Sequence, residues 1–194
     1  MKLSANKECC KDLGVFATKA DSTKWNIRKL LLESGYPPTN LFIDASHSSH
    51  IGANASDDAA GNLSRQLVVS LGARIVLREN LDIARGLINN SFGTIHEINW
   101  HGSNWEYGPL NPRETTPDCL YVTFDRYSGR PDWVDDKGHP LIPLFTSLRQ
   151  FHYDGHNCER SQFPISAAFG ITAYKAQGIT TLPAGKVASA SNSS

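Results

Sequence analysis

Thr172, Lys175, Gln177 and Gly178 place a hydroxyl, a cation, an amide and a free backbone in close succession near the C-terminus. Such a set looks at first like a catalytic signature. The segment that carries it, Gln162-Phe-Pro-Ile-Ser-Ala-Ala-Phe-Gly-Ile-Thr-Ala-Tyr-Lys-Ala-Gln-Gly-Ile-Thr180, predicts a short strand running into a helix. Ile165 after Pro164 suits a buried strand, Ser166 can cap a helix, and Gly178 can close it in the left-handed conformation. Thr172 and Lys175 would then share a helix face. Lys175 would favour the negative helix C-terminus, and Gly170 inside the helix would cost about 0.5–1 kcal/mol relative to Ala.

The elements that must position this set are spread along the chain. Leu13 to Ala20 reads as a short apolar strand, with Asp21 or Ser22 capping a following helix whose apolar face comprises Trp25, Ile27, Leu30, Leu31 and Leu32. Gly35 before Pro37-Pro38 ends it. From Pro37 to Ser64 the polar composition predicts a long loop. Within it Leu41-Phe-Ile-Asp44 reads as a short edge strand; a magnesium-binding strand would end in the same way, but Ala45 stands where a catalytic Glu is needed. Leu67 to Leu81 is β-branched and reads as one or two strands. Further strands are expected at Gly86–Ile95, Thr94–Trp100, Cys119–Asp125 and Leu141–Phe145. Asn89-Asn90 can fill positive-φ turn positions, and Gly93 suits a bulge or a close strand crossing.

Together these segments resemble PIF-like superfamily-one DNA helicases, including the Helitron-type enzymes. In that family G-A-R-V-M-L-x-x-N-L is followed by G-L-V-N-G-x-x-G-x-V, matched here by Gly72, Ala73, Arg74, Leu77, Asn80, Leu81, Gly86, Leu87, Asn89 and Gly93. The C-terminal segment is similar to P-L-x-x-A-x-x-x-T-x-H-K-x-Q-G-x-T, with Tyr174 in place of His. Thr18-Lys19 and Asn26 stand where the family has a strand ending in Thr-Asn and an Asn on the next helix; Lys19 departs from the usual Asn. The resemblance covers approximately Leu13 to Leu182.

It implies an α/β chain: a partial second RecA-like domain of the P-loop NTPase type, split over 13–64 and 161–182, with a small SH3-like β-barrel inserted at 65–160. Thr172, Tyr174, Thr18 and Asn26 would face single-stranded DNA, whereas Lys175, Gln177 and Gly178 would couple that contact to nucleotide state. ATP and Mg2+ would be the cofactors, held by a domain outside this sequence. Trp100, Trp105, Tyr107 and Trp133 could stack on bases, each worth about 1–3 kcal/mol if used, although aromatics in a small barrel more often anchor core and loops. A phosphate loop requires G-x-x-x-x-G-K-[ST]. Gly185-Lys186 fails it, because Val187 follows and Thr180 stands at the first Gly position. No Asp-Glu pair follows an apolar strand, and the family's final arginine motif is not reached. The expectation is a helicase fragment, possessing no catalytic residue of its own and partnered by the missing N-terminal helicase domain. A non-catalytic interaction module or an inactive gene remnant is the alternative. A hydrolase using Asp44, His47 and His50 with a metal is a third.

Composition bounds these readings. The chain has 194 residues, 40% hydrophobic, with formal net charge zero. That size can bury a core, and the neutral balance argues against a strongly basic nucleic-acid module while allowing a locally positive groove. The N-terminus lacks a signal-peptide core and no run approaches the roughly 20 apolar residues of a membrane span, so an intracellular site is expected, nuclear in a eukaryote. Asn54-Ala-Ser56 and Asn62-Leu-Ser64 are then chance glycosylation matches. Cys9, Cys10, Cys119 and Cys158 have no zinc spacing and are expected as reduced thiols. His47, His50, His152 and His156 read as surface histidines in polar loops, and residues 183–194 as a disordered tail.

Overall fold

Runs of β-branched and aromatic residues with alternating burial make most of this chain sheet rather than helix. The computed structural model describes residues 14–33, 41–100 and 116–172. Within them lie β1 (Gly14–Phe16), α1 (Lys19–Glu33), β2 (Leu41–Asp44), β3 (Ser46–His47), α2 (His50–Ala53), β4 (Gln66–Val69), β5 (Arg74–Leu77) and β6 (Phe92–Asn99). Then follow β7 (Cys119–Phe124), β8 (Trp133–Val134), β9 (Pro140–Leu144), β10 (Ser147–Tyr153), β11 (His156–Gln162), β12 (Ile165–Ala167) and β13 (Gly170–Thr172).

A six-stranded antiparallel sheet, β12-β5-β6-β7-β9-β8, forms the body. Beside it lie the pair β2-β4 and the sheet β10-β11-β3, also antiparallel. One apolar cluster joins Leu41, Ile43 and Val69 from the small pair with Ile75, Leu77, Ile95, Leu120, Val122 and Ile165 from the large sheet. β1 and β13 form the one parallel pair among the described residues, in the register Gly14–Gly170, Val15–Ile171, Phe16–Thr172. The architecture is therefore mixed and sheet-rich, with α/β character concentrated where α1 packs on β1 and β13.

Local chemistry explains the turns and crossings. Asn90 adopts φ 71°, Gly72 77° and Gly86 84°, the left-handed values that Asn and Gly tolerate best. At Gly93 an added Cβ would lie 2.7 Å from Val122 Cγ1 and 2.9 Å from the Thr123 carbonyl oxygen, so glycine lets β6 and β7 close on each other. The bulge lies farther on, between Ile95 and Glu97.

Several expectations are corrected. Residues 166–172 are not helical: Ser166 pairs with Val76 in β12, and Gly170 begins β13. The run Ile165-Ser-Ala-Ala-Phe-Gly-Ile is satisfied by two neighbouring sheets, whose burial and backbone bonds override a local capping signal. Thr18, rather than Asp21 or Ser22, caps α1, and Ile27 is 43% exposed instead of facing the core. The polar stretch 37–64 contains β2, β3 and α2. His152 and His156 sit on β10 and β11, not in loops, and His47 is half-buried in β3. β11 runs through position 161, and β12 joins the body sheet through β5.

Candidate functional site

Parallel strands leave their C-terminal ends open to a ligand at the same edge of the sheet, and helix N-termini add amide donors there. β1 and β13 make such an edge. Phe16 is in register with Thr172, so Thr18, two residues past Phe16, and Thr172, the last residue of β13, reach the same end of the pair. Residues 18 and 172, far apart in sequence, thereby lie at one end of the same strand pair. Tyr174, Lys175, Gln177 and Gly178 lie outside the described residues, as do Trp105, Tyr107, Cys9, Cys10 and residues 183–194.

The edge is already partly engaged by its own side chains. Asp21 N donates to Thr18 Oγ1 at 3.1 Å, and Thr18 Oγ1 donates to Asp21 Oδ2 at 2.7 Å. This reciprocal cap satisfies an amide of the first turn of α1 and leaves a carboxylate beside it. The Asp21 carboxylate at this edge would repel a phosphate brought close to it.

The Asn26 side chain is turned toward the backbone at the start of β13. Gly170 N donates to its Oδ1 at 2.5 Å, and its Nδ2 donates to the carbonyls of Ala167 and Gly170, each at 3.0 Å. Ser22, one turn earlier on α1 and 7% exposed, donates to the same Gly170 carbonyl at 2.7 Å. The spacing of Ser22 and Asn26, i and i+4 on one helix face, was the available sequence signal for a shared partner.

Close packing makes these bonds possible. A Cβ on Gly170 would stand 2.7 Å from Phe16 Cε2 and 2.8 Å from Trp25 Cδ1, and one on Gly14 would meet the same Phe16 ring. The Phe16 and Trp25 rings lie 5.6 Å apart at 47°, with Lys29 Nζ 5.1 Å from the Trp25 centroid. Past Asn26 a cleft of about 260 Å3 opens between α1 and the body, lined by Ser22, Asn26, Asp57, Arg78, Ser166 and Gly170 among others. Burial lowers the Arg78 pKa, while Asp58 and Asp57 pull it back up.

Other motif and candidate residues have structural partners. Arg74 makes a bidentate pair with Asp125, Nη1–Oδ1 2.8 Å and Nη2–Oδ2 2.6 Å, and donates to Thr94 Oγ1 at 3.0 Å. Trp100 packs against the core, whereas Trp133 is 53% exposed and meets Tyr121 edge-on at 6.1 Å. Asp44 accepts from Gln66 Nε2 at 2.7 Å, and burial, then Arg160 and Arg65, lowers the His47 pKa. Among the described residues no group of three His, Cys, Asp or Glu side chains is arranged to hold a metal. Cys119 and Cys158 are free and buried.

No protein-family model and no curated protein matches the sequence. Solved structures do. The Pif1 helicase from Candida albicans is similar at 17% identity and TM-score 0.61, over 89% of this chain and 38% of its own. Bacteroides Pif1 bound to single-stranded DNA is similar at 18% and 0.55, over 92% and 34%. Bacteroides Pif1 in complex with ADP-AlF3 and single-stranded DNA gives 18% and 0.54, over 92% and 34%. The chain thus has a Pif1-like helicase fold and spans little more than a third of the length of these helicases.

Proposed function

We propose that this chain is part of a PIF-like ATP-dependent DNA helicase: the second RecA-like domain with its inserted SH3-like barrel, contributing single-stranded DNA contacts. The observation that carries the reading is the parallel register of β1 and β13, which sets Thr18 and Thr172 at one strand edge. Tyr174 follows Thr172 by two residues and would stack on a base; Lys175, Gln177 and Gly178 would pass the contact on to a nucleotide. ATP and Mg2+ would be held by a phosphate-loop domain, since no G-x-x-x-x-G-K-[ST] occurs in this sequence. By itself the chain hydrolyses nothing in this reading, and the site of action is intracellular.

The reading is tested by fluorescence anisotropy of a labelled single-stranded oligonucleotide titrated with the chain. Binding at low salt that weakens as salt rises is expected; no binding at low salt removes the DNA role. The Asp21 carboxylate at the strand edge favours a second reading, a non-catalytic module that keeps the fold without binding DNA. Phosphate repulsion there would give that negative result.

A further inference from the structure

Segment 167–170 joins two different sheets. Ala167 is the last residue of β12, which pairs with β5 in the body, and Gly170 is the first of β13, which pairs with β1. Its backbone polar groups are taken up from both sides. Ala168 N donates to the Arg74 carbonyl at 2.9 Å on the body side, and Gly14 N donates to the Phe169 carbonyl at 2.9 Å on the other. The Ala167 and Gly170 carbonyls and the Gly170 N–H are held by Asn26 and Ser22 from α1.

We infer that Asn26 and Ser22 form a positioning clamp that ties α1 to the start of β13, so that the edge carrying Thr18 and the edge carrying Thr172 move as one unit. An Asn is suited to this, because its amide offers an acceptor to the Gly170 N–H and donors to two carbonyls at once. Ser22 reinforces the same carbonyl from one turn earlier. A helix and a strand joined by several short bonds across closely packed rings have few alternative arrangements, and the helix start at Thr18 cannot shift without moving Gly170. Asn26 would therefore act on DNA through backbone geometry and not by touching it. This consequence for DNA rests on the helicase reading above; the clamp itself does not.

The test uses the full 194-residue chain and the variants Ser22→Ala, Asn26→Ala and Asn26→Asp. Amide exchange at Gly170 is followed by NMR, along with the Asn26 side-chain amide signal with and without an oligothymidylate of about 12 nucleotides. Exchange at Gly170 is expected to speed up roughly tenfold in Asn26→Ala and less in Ser22→Ala. Asn26→Asp keeps the acceptor but sets a carboxylate oxygen against the Ala167 and Gly170 carbonyls, so exchange at Gly170 should speed up at least as much as in Asn26→Ala. DNA affinity should fall about three- to tenfold in Asn26→Ala and in the same direction in Ser22→Ala, whose side chain is buried, while the wild-type Asn26 amide signal stays in place on DNA addition. Unchanged Gly170 exchange in both alanine variants overturns the clamp. A DNA-induced shift of the Asn26 amide, together with an affinity loss absent from Ser22→Ala, makes Asn26 a direct contact instead. If the wild type binds no DNA, the helicase reading fails, and Gly170 exchange alone decides the clamp.

Discussion

Glycine and asparagine do different work in the antiparallel body and in the parallel β1–β13 unit. In the body, Gly93 lets strand approach strand, and Asn90 bends the chain into a left-handed turn. In the unit, Gly14 and Gly170 stand opposite each other so that the Phe16 and Trp25 rings can close over them, and Asn26 reaches across from the helix to grip backbone. The body therefore spends its special residues on shape that is complete in itself. The unit spends them on holding the edge that carries Thr18 and Thr172 at a fixed height. Damage to the body should cost the whole fold, and damage to the unit should loosen the edge first.

The largest effect outside the unit is expected from Arg160→Ala, in the antiparallel sheet β10-β11-β3 beside the body. Arg160 is fully buried and donates to the carbonyls of Leu63, Gly52 and Ala55 at 2.9, 3.2 and 2.7 Å, pinning the stretch after β3 to β11. Removing the guanidinium strands buried carbonyls and opens a void, at a cost of about 3–5 kcal/mol. Urea denaturation should show one cooperative transition moved to a much lower midpoint. A change below about 1 kcal/mol would mean that this stretch opens independently of the body.

A matched pair comes next. Gly93→Ala forces β6 from β7 against a backbone oxygen and should lower the global urea midpoint, by about 1–3 kcal/mol. Gly170→Ala meets the edges of two aromatic rings at similar distances. It should raise amide exchange in β1 and β13 while the exchange of β6 and β7 stays near wild type. Equal loss of protection in both regions would erase the distinction between body and unit.

The two regions also differed in how far they could be read from sequence. Much of the body was legible because its signals are local. The run Cys119–Asp125 read as a short strand and is one over Cys119–Phe124, the β-branched run around Gly72 resolved into β4 and β5, and Asn89-Asn90 and Gly93 announced a turn and a crossing. The unit was misread at its C-terminal half. Ser166, Ala167 and Ala168 carry a helical signature, but their partners, Val76 of β5, Asn26 of α1 and Arg74, lie far away in sequence, and no periodicity reveals them. For the same reason the bonds from Asn26 to residues 167 and 170 were not legible in the sequence. A polar side chain on a helix gives no sign from sequence whether its partner is solvent, nucleic acid or a distant carbonyl.

Acid tests the outer end of the body. Burial raises the Asp135 pKa, but hydrogen bonds from the His139 ring and from the backbone of His139 and Lys137 outweigh it and lower it from 3.8 to about 2. His96, the residue at the β6 bulge, adds its Nε2 at 3.1 Å from Asp135 Oδ2. Because the folded value is depressed, this contribution is complete above pH 3.8 and is lost as pH falls through about 2. Asp135→Asn should flatten the acid limb of stability between those pH values; an unchanged limb would show that the carboxylate is not held this way.

The smallest expected effect is the most telling for the segment that resembles a helicase-family motif. Arg74 is one of its matching residues, and in a DNA-binding protein an arginine invites assignment to phosphate. Its guanidinium is instead paired fork to fork with Asp125 across β6, with 28% and 48% side-chain exposure, and packs 6.0 Å from the Phe92 ring. Partly exposed pairs contribute little, so a double-mutant cycle of Arg74→Ala and Asp125→Ala should give a coupling of about 0.5–1 kcal/mol. Both residues belong to the body, and neither change should alter the salt dependence of the single-strand binding proposed above, since no phosphate contact is lost. A slope reduced by about 1 in Arg74→Ala alone would place a phosphate on Arg74, and the contact surface would then extend from the parallel edge onto the antiparallel sheet.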